Sequence, residues 1–235
     1  AELLVEIARF FSSLAVFNAD RDRYEIRGVI GPDEYHDAYP GADRPGIDNN
    51  AYTNVMVVWL LRRAADALAV LHGYHCDEVV AALAVDPAEL KHWTDMTTRM
   101  FVPFHDGVIS QFEGYERLAE LDWNAYRARY TNIGRLDLIL EAEGDTPNRY
   151  KLSKQADTLM LFYLLSAEEL RELLVGLGYP LTPETIVATV DYYLERTAHG
   201  STLSRVVDAW VVSRSDRQRS WSYFCEALAA DVADT

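Results

Sequence analysis

Asp33 and Glu34 sit side by side in the string GPDEY, residues 31–35, directly behind a Gly-Pro pair that sets a turn and lifts them off any helix face. Glu34 stands among Ile30, Pro32 and Tyr35, and an apolar wall raises a carboxyl pKa by disfavouring the anion. A carboxylic acid kept protonated near neutral pH is what a departing glycosidic oxygen needs. A loop carboxylate that simply faces water accounts for the same residues, and spacing alone does not choose between the two readings.

The elements that must position this loop are helical. Leu3, Leu4, Ile7, Phe10, Phe11 and Leu14 follow the i, i+3, i+4, i+7 spacing of one apolar face. The stretch from Asn50 to about His72 repeats it with Val57, Val58, Leu61, Ala65 and Leu68, behind a DNN string suited to an N-cap. Further helical runs are expected near 77–84, 87–100, 133–143, 153–164, 166–177, 183–196, 202–214 and 217–231. Pro87 and Pro183 fall where a first turn begins, and Gly176 and Gly178 read as a stop. Tyr24–Ile30 alternates briefly as a strand. Two long loops, 28–48 and 101–116, collect Gly and Pro, and loops beyond about 12–15 residues in a compact domain tend to be functional.

GPDEY followed by DNNAYTN at 48–54 resembles the general-acid loop of glycoside hydrolase family 65, which holds phosphorylases of trehalose, maltose and kojibiose and related hydrolases. Three more segments are similar to that family in the right order: ARFF at 8–11, KLSKQAD at 151–157 and YYLERTAHGSTLS at 192–204. The resemblance spans nearly the whole chain. It implies an all-α fold of the (α/α)6-barrel type with long functional loops, with residues 1–235 forming part of one such barrel. It makes Glu34 the general acid and puts Lys154 and Gln155 against the glucosyl unit. His199, Ser201 and Thr202 become the phosphate site. That last assignment is chemically sensible: Gly200 allows close backbone approach, the hydroxyls donate, and a helix starting near Leu203 aims its N–H groups at an anion. Without the family, Lys154 reads as a solvated lysine at a helix start and Ser201 as an N-cap beside a chance histidine.

Two departures stand out. Thr202 occupies a position where phosphorylases often carry serine. The family commonly has a glutamate directly after the tyrosine pair, where this chain has Leu194; Glu195 comes one residue later, turned by about 100° on a helix. Glu195 is therefore a candidate base only for a hydrolytic variant, which needs a carboxylate about 6.5–9.5 Å from the acid. The reaction implied is an inverting displacement at an α-glucosidic bond, with inorganic phosphate as co-substrate and no metal or organic cofactor. The family's N-terminal β-sandwich, early barrel helices and C-terminal β-domain have no counterpart here, and none of the five tryptophans precedes an Asp as in the family's sugar-gripping Trp-Asp pair. The chain is thus expected to be a piece of the barrel, with exposed apolar faces that allow a homo-oligomer.

Composition narrows the rivals. A net charge of −15, from 37 acidic and 22 basic residues, disfavours nucleic acid and anionic membrane as partners. No apolar stretch approaches the roughly 20 residues of a membrane span. Two cysteines without zinc spacing fit a reduced, cytoplasmic setting, and His72, His75 and Cys76 read as surface residues rather than a metal site. The rival from another class is a non-catalytic helical interaction module, or a folded piece with no activity of its own. The lack of any 30-to-50-residue repeat counts against the module.

Overall fold

A computed structural model describes residues 1–74 and 76–233, without the side chains of Asp77, Thr202 and residues 230–233. His75 lies outside the described residues. The chain runs α1 (Glu2–Leu14), an antiparallel hairpin β1 (Ala15–Asn18) and β2 (Arg23–Ile26), α2 (Ala51–Gly73), α3 (Asp77–Leu83) and α4 (Pro87–Arg99). A second small hairpin, β3 (Phe104–His105) and β4 (Val108–Ile109), precedes α5 (Trp123–Arg129) and α6 (Leu136–Ala142). Then come α7 (Asp157–Leu164), α8 (Ala167–Gly176), α9 (Pro183–Leu194), α10 (Thr202–Val212) and α11 (Arg217–Ala233). No helix among the described residues is long and apolar enough to cross a membrane.

The helix ends follow the local chemistry. The Asn50 side chain accepts from the Thr53 amide and caps α2; Asp86 and Thr182 do the same for α4 and α9, each ahead of its proline. Gly178, at φ +86°, ends α8, and the Tyr179 amide closes back on the Leu174 carbonyl at 2.8 Å.

Three expectations are corrected. The strand ends at Ile26, and Tyr24, Glu25 and Ile26 are all buried, so the expected alternation is absent. Glu25 can be buried because Asn18 and Arg27 bond its two carboxylate oxygens, both at 2.9 Å. The run at 153–164 becomes helical only at Asp157, since Ser153 pairs as an extended bridge with Thr197 instead. Helix α5 was not foreseen. None of its residues is buried, so it leaves no apolar period to read; the Asp122 side chain holds it by accepting from Ala125.

The largest core cluster joins α1, β2, α2, α4 and α8 through Val5, Ile26, Val58, Leu61, Trp93, Met96 and Leu173. A second holds Phe112, Tyr115, Leu159 and Tyr193. The third is small: Tyr35, Leu121, Leu136, Leu140, Leu152 and Ala198. It clamps together three segments far apart in sequence, and it is this clamp that positions the site. Large apolar side chains also stand in water on α10 and α11, where Trp210 and Trp221 line a 410 Å³ groove and are 60% and 65% exposed.

Leu61→Ala should lower unfolding free energy by about 2–5 kcal/mol. The same change at Leu138, exposed on α6, should stay within about 1 kcal/mol. Chemical denaturation of the two variants provides the comparison.

Candidate active site

Around Glu34 the loop is pinned on both sides and free at the centre. The Asp33 side chain points inward and is 2% exposed. One of its oxygens accepts the backbone amides of Lys154 and Gln155 at 2.6 and 3.1 Å, and the other accepts the Gln111 amide at 2.9 Å. Tyr35 donates its hydroxyl to the Gly134 carbonyl at 3.2 Å, and the His36 Nε2–H donates to the Tyr150 carbonyl at 2.9 Å. Glu34 between them takes the left-handed conformation, φ +64°, which for a glutamate is strained.

The apolar wall expected around Glu34 is absent. Its side chain is 72% exposed and its nearest charged partner is the Lys154 ammonium at 3.2 Å. The physical reason is directional: Asp33 and Tyr35 take the inward positions, the left-handed turn sends Glu34 outward, and Ile30 is itself half exposed.

Asp157 completes the attachment. It accepts the Asp33 backbone amide at 2.6 Å and the Asn50 side-chain amide at 2.7 Å. Asp33 and Asp157 thus exchange contacts, each carboxylate serving the backbone next to the other's loop. Burial and the neighbouring Asp33 charge push Asp157 well above the usual carboxylate range. Gly31 is required here because a Cβ would come within 1.9 Å of an Asp157 oxygen. Neither aspartate was singled out for this role from sequence, although both lie inside the quoted motifs.

Residues 197–204 run beside this assembly. Ser153 donates its amide to the Arg196 carbonyl, and Ala198 donates to the Ser153 carbonyl, both at 2.8 Å. Gly200 packs so closely that a Cβ would lie 2.1 Å from the Gly134 carbonyl oxygen and 3.4 Å from Lys154 Cγ. His199 is left-handed at φ +55°. Ser201 caps α10, its oxygen accepting from the Leu203 amide at 3.2 Å. The Thr202 side chain lies outside the described residues. Behind the loop, His199 Nδ1 sits 3.2 Å from Ser204 Oγ and 3.4 Å from the buried Asp208 Oδ2. Burial pushes His199 down to about 4, helped by nearby Arg205 and Arg127, and pushes Asp208 up to about 7. Arg127 belongs to α5, the helix the periodicity did not reveal.

Lys154, Gln155, Glu34 and the His199 loop are therefore neighbours through one chain of contacts. Glu195 stands apart: it follows the last residue of α9, 73% exposed, with Arg196 3.8 Å away. Leu194 instead turns into the second core cluster. No contact among the described residues joins Glu195 to Glu34 or Lys154.

Comparison with known proteins now bears on this arrangement. The model of the glycosyl hydrolase family 65 central catalytic domain matches residues 1–235. The chain belongs to glycosyl hydrolase family 65. An uncharacterized glycosyl hydrolase of Mycobacterium tuberculosis is 59% identical to it over 234 residues, covering 100% of this chain and 18% of that protein. A trehalose 6-phosphate phosphorylase of Lactococcus lactis is 38% identical over 234 residues, 99% of this chain and 29% of that one. A kojibiose phosphorylase of Halothermothrix orenii is 31% identical over 238 residues, 98% of this chain and 27% of that one. This chain thus spans less than a third of these relatives. A solved structure from the human microbiome, provisionally named a kojibiose phosphorylase, shares the fold at a TM-score of 0.73 and 22% identity, over 95% of this chain and 28% of that one. The all-α chain is accordingly part of the family 65 helical barrel.

Within this family 65 chain, Asp33→Ala strands the amides of Lys154 and Gln155, at about 1–3 kcal/mol for each donor left buried. Asp33→Asn keeps the doubly used acceptor and should be milder; thermal unfolding of both variants checks the order. Glu34→Gly should be at least as stable as the parent, because glycine accepts φ +64° without strain.

The His199–Asp208 pair also carries a pH signature. Asp208, with its folded pKa raised, contributes stability that is full below about 4 and lost as pH rises toward 7; His199, with its folded pKa lowered, contributes stability gained from about 4 to 6.5. In that window the folded pair is neutral and the unfolded pair is zwitterionic, with equal protons bound, so the two slopes cancel. Asp208→Asn should unmask the histidine slope, a rise of roughly 2–3 kcal/mol between pH 4 and 6.5. Denaturation across that range measures it.

Proposed function

We propose that this chain carries the acid and phosphate sites of an inverting phosphorylase. Its substrate would be an α-linked glucose disaccharide of the trehalose or maltose type. The observation that carries this reading is the adjacency of three groups: the Glu34 carboxylate, the Lys154 ammonium 3.2 Å from it, and the His199–Ser204 loop laid along the Ser153–Lys154 segment. A proton donor, a sugar-facing cation and an anion loop are the parts this reaction needs. The names of the relatives from Lactococcus lactis and Halothermothrix orenii, both phosphorylases, support the same class.

In this mechanism Glu34 in its acid form gives its proton to the glycosidic oxygen while the bond from that oxygen to the anomeric carbon breaks. A phosphate oxygen forms the new bond from the opposite face, so the α-glucoside yields β-glucose 1-phosphate and a free sugar. Glu34 ends ionised and regains its proton from solvent. Lys154 and Gln155 orient the glucosyl unit, and His199, Ser201 and Thr202 hold the phosphate. The exposure of Glu34 suits a group that must meet a substrate arriving from solvent. Glu195, turned to solvent on the far side of Leu194, is poorly placed to activate a water, which favours phosphate as the nucleophile.

The protein that carries this chain should release glucose 1-phosphate from trehalose, maltose or kojibiose in phosphate buffer. Glu34→Gln should lower that rate by about 10²–10⁴-fold. Free glucose released at a rate indifferent to phosphate would identify a hydrolase instead, and no turnover of any α-glucoside would favour a non-catalytic role.

A further inference from the structure

We propose that Asp208 is a positioning residue for the anion site, accepting the Nδ1–H of His199 so that Nε2 is the ring nitrogen offered to phosphate. The inference rests on the phosphate reading of the His199 loop and adds a residue that reading does not use.

The argument is one of hydrogen-bond supply. Ser204 has a single hydroxyl proton, and it goes to the Ser201 carbonyl at 2.7 Å. Towards His199 the Ser204 oxygen therefore presents a lone pair, 3.2 Å from Nδ1. The Asp208 Oδ2 approaches the same nitrogen at 3.4 Å, a few tenths beyond a hydrogen bond, and has no other partner among the described residues. Its side chain is 2% exposed, so water does not replace that partner. Two acceptors converge on Nδ1, which fixes the proton there and leaves Nε2 on the opposite side of the ring. The arrangement needs the ionised carboxylate, or a carboxyl proton carried on Oδ1, so that Oδ2 is left as the acceptor facing Nδ1.

Position along α10 makes the arrangement rigid. Ser204 and Asp208 are one helical turn apart and share a face, so one helix supplies both acceptors while its first residue follows the Ser201 cap. The other groups facing the pair are cations and one ring: Arg205 on the same helix, Arg127 from α5, Arg219 from α11, and Tyr223 with its ring centroid 5.9 Å from that of His199. Arg205 is engaged by Glu226, and Arg219 by Asp191 at 3.2 Å. Two of the three cations around the pair are therefore already matched by carboxylates.

The test separates this role from the reading beneath it. In the protein that carries this chain, Asp208→Ala should raise the KM for inorganic phosphate by about 10-fold or more and leave the disaccharide KM unchanged. Asp208→Asn, which keeps an acceptor oxygen, should recover most of that loss. Imidazole ¹⁵N spectra of the unaltered protein, assigned with His199→Gln, should show His199 as the Nδ1–H tautomer; the Nε2–H tautomer overturns the proposal even if Asp208→Ala does not fold. A phosphate-dependent enzyme whose phosphate KM survives Asp208→Ala also overturns it, alone. A parent rate indifferent to phosphate, or a phosphate KM unchanged in His199→Ala, overturns the phosphate reading and this role together.

Discussion

One buried carboxylate joins the two halves of the site. Asp33 accepts the backbone amides of Lys154 and Gln155 across 121 and 122 positions of sequence, in a place where water does not compete. A hydrogen bond of this kind gains from the low local dielectric, and each donor would be expensive to leave unpaired. Asp157 returns the contact by holding the Asp33 amide and ties the pair to the cap of α2 through Asn50. The Glu34 loop, the lysine segment and the start of α2 are therefore tied together by buried hydrogen bonds.

Rigidity at the base is what allows strain at the tip. Glu34 and His199 both hold left-handed backbone, worth roughly 1–3 kcal/mol each against a relaxed residue. Such conformers persist only where flanking contacts overdetermine them. Around Glu34 these are Asp33, Tyr35 and His36; around His199 they are the Ser153–Thr197 bridge and the closely packed Gly200. The surface ion pair between Glu34 and Lys154 contributes little to stability by itself. Its meaning is positional, since it brings a carboxylate and an ammonium from segments 120 positions apart to one place.

The loop proposed to bind phosphate shows how one residue can serve two ends. Ser201 is the N-cap of α10, the plain structural reading, and the same cap starts the helix whose first turn faces the loop. The Ser201 side chain takes the Leu203 amide, one of the four that a helix start leaves unpaired, so capping does not exclude anion binding. Behind the loop, Ser204 and Asp208 use the helical repeat to reach a single imidazole nitrogen.

The sequence by itself determined the helical class, most helix positions and the family, because apolar period, caps and four ordered motifs are local signals. Asn50, Asp86, Pro87, Pro183 and Gly178 act where local chemistry places them. Tertiary structure alone decided the rest. Helix α5 buries no residue and so left no period, yet it brings Arg127 close to His199. Residues 153–156 stay out of the helix that periodicity suggested because Asp33 takes the Lys154 and Gln155 amides and Ser153 bridges to Thr197. Glu34 stands in water rather than against an apolar wall because its neighbours take the inward positions. Asp33 and Asp157 carry no pattern that marks them as buried; only long-range partners make burial of a carboxylate affordable, and partners more than a hundred residues away are invisible to spacing.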